Sequence, residues 1–223
     1  TVPHRFMQQH ARPTCAKYYR HGARWCSNGR KIDQRHTHCF FCPCIRTDFA
    51  VEIGAMAHYV FFLIPVGRGK FIQETSLEVL ENEQLLKDIM TKASQVPIDV
   101  KPTCAPQFTR VAKQLGVDTR FERGCLAGLT YCVIGSEGIV RPCAYMTEEA
   151  GDVRAQPFDE IWKTSPVFEK LRTQAYSGSC GTCDYAQGCG GCRARAAYYH
   201  DGDILAQDDY CAHGLRCSDE QRN

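Results

Sequence analysis

An α/β fold running into a small, cysteine-rich α+β portion is what this sequence predicts, on three observations. A helical stretch ending at Gly54 delivers an apolar strand, the unit from which α/β sheets and barrels are built. Residues 131–143, "YCVIGSEGIVRPC", read as a hairpin of two apolar limbs about a Gly-Ser-Glu-Gly turn. Residues 180–203, "CGTCDYAQGCGGCRARAAYYHDGD", crowd four cysteines into thirteen residues and follow them with Arg193 and Arg195.

The elements follow in order. Residues 1–48 hold nine Lys/Arg against two Asp/Glu, with five of the eight histidines and five of the fifteen cysteines, and show neither helical nor strand periodicity. Cys39, Cys42 and Cys44 beside His36 and His38 allow a zinc or nucleic-acid element. The abrupt return to orderly sequence after Asp48 favours a disordered or out-of-frame segment instead. "DFAVEIGAMAHYVFFLIPVGRGK" then gives a helix end, Gly54 as its stop, a buried strand within Tyr59 to Val66 and a glycine-flanked loop carrying Arg68. "GRGK" lacks the spacing of a phosphate-binding loop. Ser76 is placed to cap a helix through about Ser94, with Leu77, Leu80, Leu86 and Ile89 as core contacts. A short strand leads to a loop bearing Cys104, and a helix follows over Thr109 to Leu115. Beyond the hairpin, Pro157 opens a helix with Phe158, Ile161 and Trp162 on one face. Ser165 and Pro166 then start another that turns Phe168 and Leu171 inward. The expected division is 1–48, 49–115, 116–217 and a tail at 218–223.

Bulk properties narrow the function. A net charge of +2 does not argue for nucleic acid. No run approaches the roughly 18 apolar residues of a membrane span, and no signal-peptide pattern opens the sequence, so a cytoplasmic, membrane-free location is expected. Fifteen cysteines without an export signal point to metal ligation over a disulfide scaffold. Cys180, Cys183 and Cys189 form C-x2-C-x5-C, with Cys192 and Cys211 beyond. Only five residues part the two knuckles, so one zinc ion needs a very tight wrap. A larger iron–sulfur cube suits three close thiolates and a fourth, Cys211, from a distance. Zinc stays open on spacing alone. Cys125, Cys132 and Cys143 flank the hairpin and with Cys192 make a possible second four-thiolate site, the alternative being buried free cysteines. Cys104 is open between ligand and substrate contact, and Cys217 is incidental. Arg193 and Arg195 suit a negatively charged cluster or a carboxylate, or else plain solvated surface. Arg68 is a further carboxylate candidate.

The motifs "FFLIPVGRG", "VKPTCAPQF", "RGCLAGLTYC", "GIVRPCAYM", "GDVRAQPFDEIWKTSPVFEKLR" and "CGGCRARAAYYHDGD" resemble the C-terminal part of radical S-adenosylmethionine (SAM) enzymes with a SPASM/twitch domain. The likeness is to their heme-synthesis branch and covers about three-quarters of the chain. It implies the end of a partial (β/α)6 barrel followed by a small α+β iron–sulfur domain. It also implies an auxiliary [4Fe-4S] cluster on Cys180, Cys183, Cys189 and Cys211, and a second one fed by the C-x12-G-x4-C of Cys125, Gly138 and Cys143. Cys189 and Cys192 are parted by two residues where the wider SPASM pattern has three, as in the heme branch. The implied reaction of the intact enzyme decarboxylates two propionates of iron-coproporphyrin III to vinyl groups, with an auxiliary cluster accepting the electron and a redox protein as partner. The C-x3-C-x2-C loop that binds the SAM-cleaving cluster occurs nowhere in the sequence. The chain is therefore expected to be a fragment that does not cleave SAM by itself. A SPASM-type peptide maturase and a non-enzymatic zinc module are the alternatives.

Overall fold

The computed structural model describes residues 43–214. His36, His38, Cys39, Cys42 and Cys217 lie outside them. Helix α1 spans Pro43–Glu52, so the change in composition near Asp48 falls within a helix. Gly54 ends it as the sequence predicts: at φ 75° it adopts the left-handed turn a side chain resists, and Ala55 N–H reaches back to Ala50 O at 2.9 Å. Strand β1 (Ala57–Phe61) pairs in parallel with β2 (Asp99–Thr103), Ala57 opposite Asp99 and Phe61 opposite Thr103. Parallel neighbours require a crossover, and helix α2 (Val79–Ala93) supplies it. Its start differs from expectation. Glu78 is the N-cap, sharing a capping box with Glu81, whereas Ser76 closes a 3-10 helix over Gly67–Thr75. Leu86 and Ile89 are buried as expected; Leu80 is exposed. β1 is not the fully buried strand its apolar run suggested, because Tyr59 and Phe61 face out from a sheet of only two strands among the described residues.

Helix α3 (Phe108–Leu115) packs on α2 through Leu86, Met90, Phe108, Val111 and Ala112. The hairpin forms from β3 (Val133–Ile134) and β4 (Ile139–Arg141), and a third strand that the sequence reading missed, β5 (Gly151–Asp152), adds to β4. Helices α4 (Phe158–Thr164) and α5 (Pro166–Thr173) cover this sheet, and Ile161, Phe168, Val140 and Ala150 make its core. Short helices α6 (Gly178–Gly181) and α7 (Ala186–Cys189) carry the cysteine loop into α8 (Arg193–Tyr199). A third core of Ile64, Ala127, Met146, Leu171, Cys192, Ala194 and Ile204 joins the first strand region to the cysteine-rich part. No helix among the described residues is long and apolar enough to cross a membrane.

Candidate metal centre

Two glycines decide how the last cysteines are shared out. Gly190 and Gly191 both have positive φ, 68° and 58°, so the chain reverses between Cys189 and Cys192 and turns them to different surroundings. Cys189 joins Cys180, Cys183 and Cys211 around a tight hollow of about 20 Å3. Gln107, Arg110 and Asp208 are among the other residues that line it. All nine described cysteines from Cys104 to Cys211 are free thiols. Among the described residues, no three His, Cys, Asp or Glu side chains converge as the ligands of one metal ion do. The thiols stand round a space instead.

Each of these four sulfurs receives backbone N–H groups. Asp208 N–H points to Cys180 Sγ at 3.5 Å and Tyr185 N–H to Cys183 Sγ at 3.4 Å. Gly191 donates to Cys189, and His213 and Gly214 donate to Cys211. Burial nonetheless pushes the thiols of Cys180, Cys189 and Cys211 up, because a charged sulfur there is poorly hydrated. Buried sulfurs with N–H donors aimed at them, and a guanidinium in the wall, fit a group that withdraws charge from thiolates. Iron–sulfur clusters are such groups, and hydrogen bonds to sulfur set their potentials.

The structure sorts the remaining cysteines differently from the sequence. Cys104, Cys125 and Cys143 pack against the core that contains Cys192. Burial, then neighbouring Cys143, lifts Cys104 to about 12, and burial lifts Cys143 and Cys192, with Cys125 adding to both. Cys104 sits just after β2 at φ 63°, a conformation few non-glycine residues adopt. Cys132, expected in this set, packs instead with the Val140, Ile161 and Phe168 core. Strand alternation is the reason. Val133 pairs with Arg141, so the extended register sends Cys132 to the Val140 face and Cys143 to the opposite one.

The arginines are not solvated surface. Arg193 Nη1 donates to the carbonyls of Ile204 (3.1 Å) and Ala206 (2.7 Å), and its guanidinium lies 4.4 Å over the Tyr176 ring. Arg195 makes a two-point pair with buried Asp208, at 2.8 and 3.0 Å, and reaches Cys104 O at 3.2 Å. Asp208 also accepts from Cys192 N–H at 2.7 Å and Gln107 at 2.8 Å. One residue, Asp208, therefore ties both cysteine sets together, its backbone N–H donating to Cys180 Sγ and its carboxylate accepting from Cys192 N–H. Arg68 is exposed on the 3-10 helix. A separate cleft of about 260 Å3 has apolar walls, among them Val60, Phe62, Leu63, Leu77 and Leu85, with Arg195 and Tyr210 also lining it. Asp208, Gln107, Arg110 and Glu83 were not singled out from sequence. Only their burial, invisible in one dimension, marks them.

Residues 125–184 match the SPASM family, an iron–sulfur cluster-binding domain. An AdoMet-dependent heme synthase of Methanosarcina barkeri is 40% identical over 177 residues, 74% of this chain and 50% of that protein. Its counterpart in Nitratidesulfovibrio vulgaris is 37% identical over 179 residues, 74% of this chain and 48% of that protein. A mycofactocin maturase of Mycobacterium ulcerans is 34% identical over 95 residues, 40% of this chain and 26% of that protein. The chain thus spans about half the length of the heme synthases it matches. Residues 125–184 thus match a SPASM iron–sulfur domain within a sequence similar over most of its length to the AdoMet-dependent heme synthases.

Proposed function

We propose that this chain supplies the auxiliary iron–sulfur part of a radical SAM heme synthase, with an iron-porphyrin as substrate and a redox protein as electron partner. The observation that carries it is the hollow ringed by Cys180, Cys183, Cys189 and Cys211, every sulfur met by a backbone N–H. These four thiolates hold a first [4Fe-4S] cluster in this reading. The packing of Cys104 with Cys125, Cys143 and Cys192 supports a second, with Cys104 taking the place expected for Cys132. The β1–α2–β2 unit is read as the end of the partial barrel. A cluster here supplies a one-electron acceptor for the electron left when a propionate loses a hydrogen atom and carbon dioxide to become a vinyl group. The chain's own residues aim N–H groups at the thiolates and hold their spacing through Asp208. SAM cleavage is assigned to none of these residues. Arg193 and Arg195 are buried, so of the three arginines considered for a substrate carboxylate, exposed Arg68 is the one placed to make that contact.

Anaerobic reconstitution tests the reading. The chain should turn brown and take up about eight iron, falling to about four in Cys183→Ser or Cys104→Ser and staying at about eight in Cys132→Ser. A colourless chain holding stoichiometric zinc sinks the cluster assignment. The match to the mycofactocin maturase over 95 residues keeps a peptide-modifying reading in view. Tight binding of iron-coproporphyrin III with no binding of precursor peptides separates the two.

A further inference from the structure

The first cysteine set has a wall that comes from outside the cysteine loop. Arg110, in the first turn of α3, lines the hollow with Cys180, Cys183, Cys189 and Cys211. Its side chain is 1% exposed, about as deep as a guanidinium can lie. Glu83 on α2 grips it at two points, Nη1 to Oε1 at 2.9 Å and Nη2 to Oε2 at 2.5 Å, and Gln114 accepts from Nη1 at 2.8 Å. The fork is thereby fixed in plane and rotation. Arg110 Nε–H, buried, has no hydrogen-bond partner among the described residues. A buried donor without an acceptor costs on the order of 1–3 kcal/mol, so an acceptor is expected where the donor sits. The positive charge is felt at Cys211 and Cys189, the thiols on its side of the hollow.

We infer that Arg110 is a cofactor-contacting residue, its Nε–H donating to a sulfur of the cluster held by the first cysteine set, with Glu83 as the residue that positions it. This deepens the proposed function and rests on a cluster being bound there. A fixed cation with an N–H···S bond stabilises the reduced, more negative state, so Arg110 raises the potential of this centre. It also makes that potential depend on α2 and α3, elements outside the cysteine-rich part.

The test is a potentiometric EPR titration of the reconstituted full chain, with the first centre assigned by its loss in Cys183→Ser. Arg110→Met and Arg110→Lys are compared with the unaltered chain. Resonance Raman spectra in H2O and D2O serve as a second readout, because a labile N–H bonded to sulfur shifts the iron–sulfur bands on exchange. Arg110→Met should hold full iron, titrate at a more negative potential and lose the exchange-sensitive shift, with Arg110→Lys between. Should Arg110→Met lose iron, retention of iron by Arg110→Lys still supports contact through charge. Full iron in Arg110→Met at an unchanged potential overturns the inference, and so does equal loss of iron in both variants, which assigns the side chain to packing alone. An unaltered chain that takes up no iron removes the cluster reading itself, a result distinct from either.

Discussion

Asp208 shows how much one residue can hold. Its carboxylate is completely buried, yet its pKa lies below the usual range: burial opposes ionisation, and the Arg195 pair with the N–H groups of Cys192 and Tyr210 overrides it. A charge in such a place persists because every lone pair is used. Asp208→Ala leaves Arg195 buried without its partner, which typically costs about 3–5 kcal/mol. The same change frees Cys192 N–H, so both cysteine sets lose their common anchor. The expected outcome is a chain that unfolds at much lower urea than the parent and reconstitutes with little iron at either set. Asp208→Asn keeps the shape and some acceptors, and should fall between. A chain lacking Asp208 that keeps its urea midpoint and its iron would contradict this account of the anchor.

Between elements, the decisive contact is where the segment before the hairpin meets the cysteine loop. Gly124 N–H bonds Gly188 O at 2.8 Å and Cys125 N–H bonds Cys189 O at 3.2 Å, so one backbone ladder joins the two cysteine sets. A Cβ on Gly124 would lie 2.6 Å from Cys189 O and 2.5 Å from Pro106 Cβ, with backbone on both sides and little able to yield. Gly124→Ala is therefore expected to destabilise by about 1–3 kcal/mol, as overpacking does, and to lower iron uptake. Thermal unfolding with iron analysis checks both. Such contacts explain what one dimension could reveal. The Gly54 stop, the Gly-Ser-Glu-Gly hairpin, the helix start at Pro166 and the C-x2-C-x5-C spacing are local, and the residue types print them directly in the text. Cys104 joining the second set depends on where β2 ends relative to a hairpin almost thirty residues on. Arg110 facing the first set depends on α3 meeting α7. The face that Cys132 takes is subtler still: it follows from the register of the hairpin, Val133 opposite Arg141, which the turn motif leaves open.

Across the whole molecule the two ends of the described chain are finished to different degrees. The cysteine-rich part closes on itself, with Phe168, Ile161, Leu171 and Cys192 buried. The α1, β1, 3-10 and α2 region leaves Phe49, Ile53, Met56, Tyr59, Phe61, Phe71, Ile72 and Leu80 exposed, Phe71 by 82% and Phe61 by 66%. Scattered apolar side chains on a surface mean little, but eight on four consecutive elements and the connection between the first two are another matter. Parallel strands are normally covered on both faces, and an open edge offers N–H and C=O groups to any strand that arrives. The chain by itself is thus expected to self-associate with rising concentration through this region. Phe61→Lys combined with Phe71→Lys should shift it to a monomer in sedimentation velocity. Iron per chain should not change, since neither side chain lines the cysteine hollow. A parent chain that sediments as a monomer at every concentration tested would show that the exposed side chains are accommodated without a partner. The opposite result, association abolished by the two lysines with the metal content intact, would locate the unfinished surface in the strand-and-helix region and leave the cysteine-rich part standing as a folded unit.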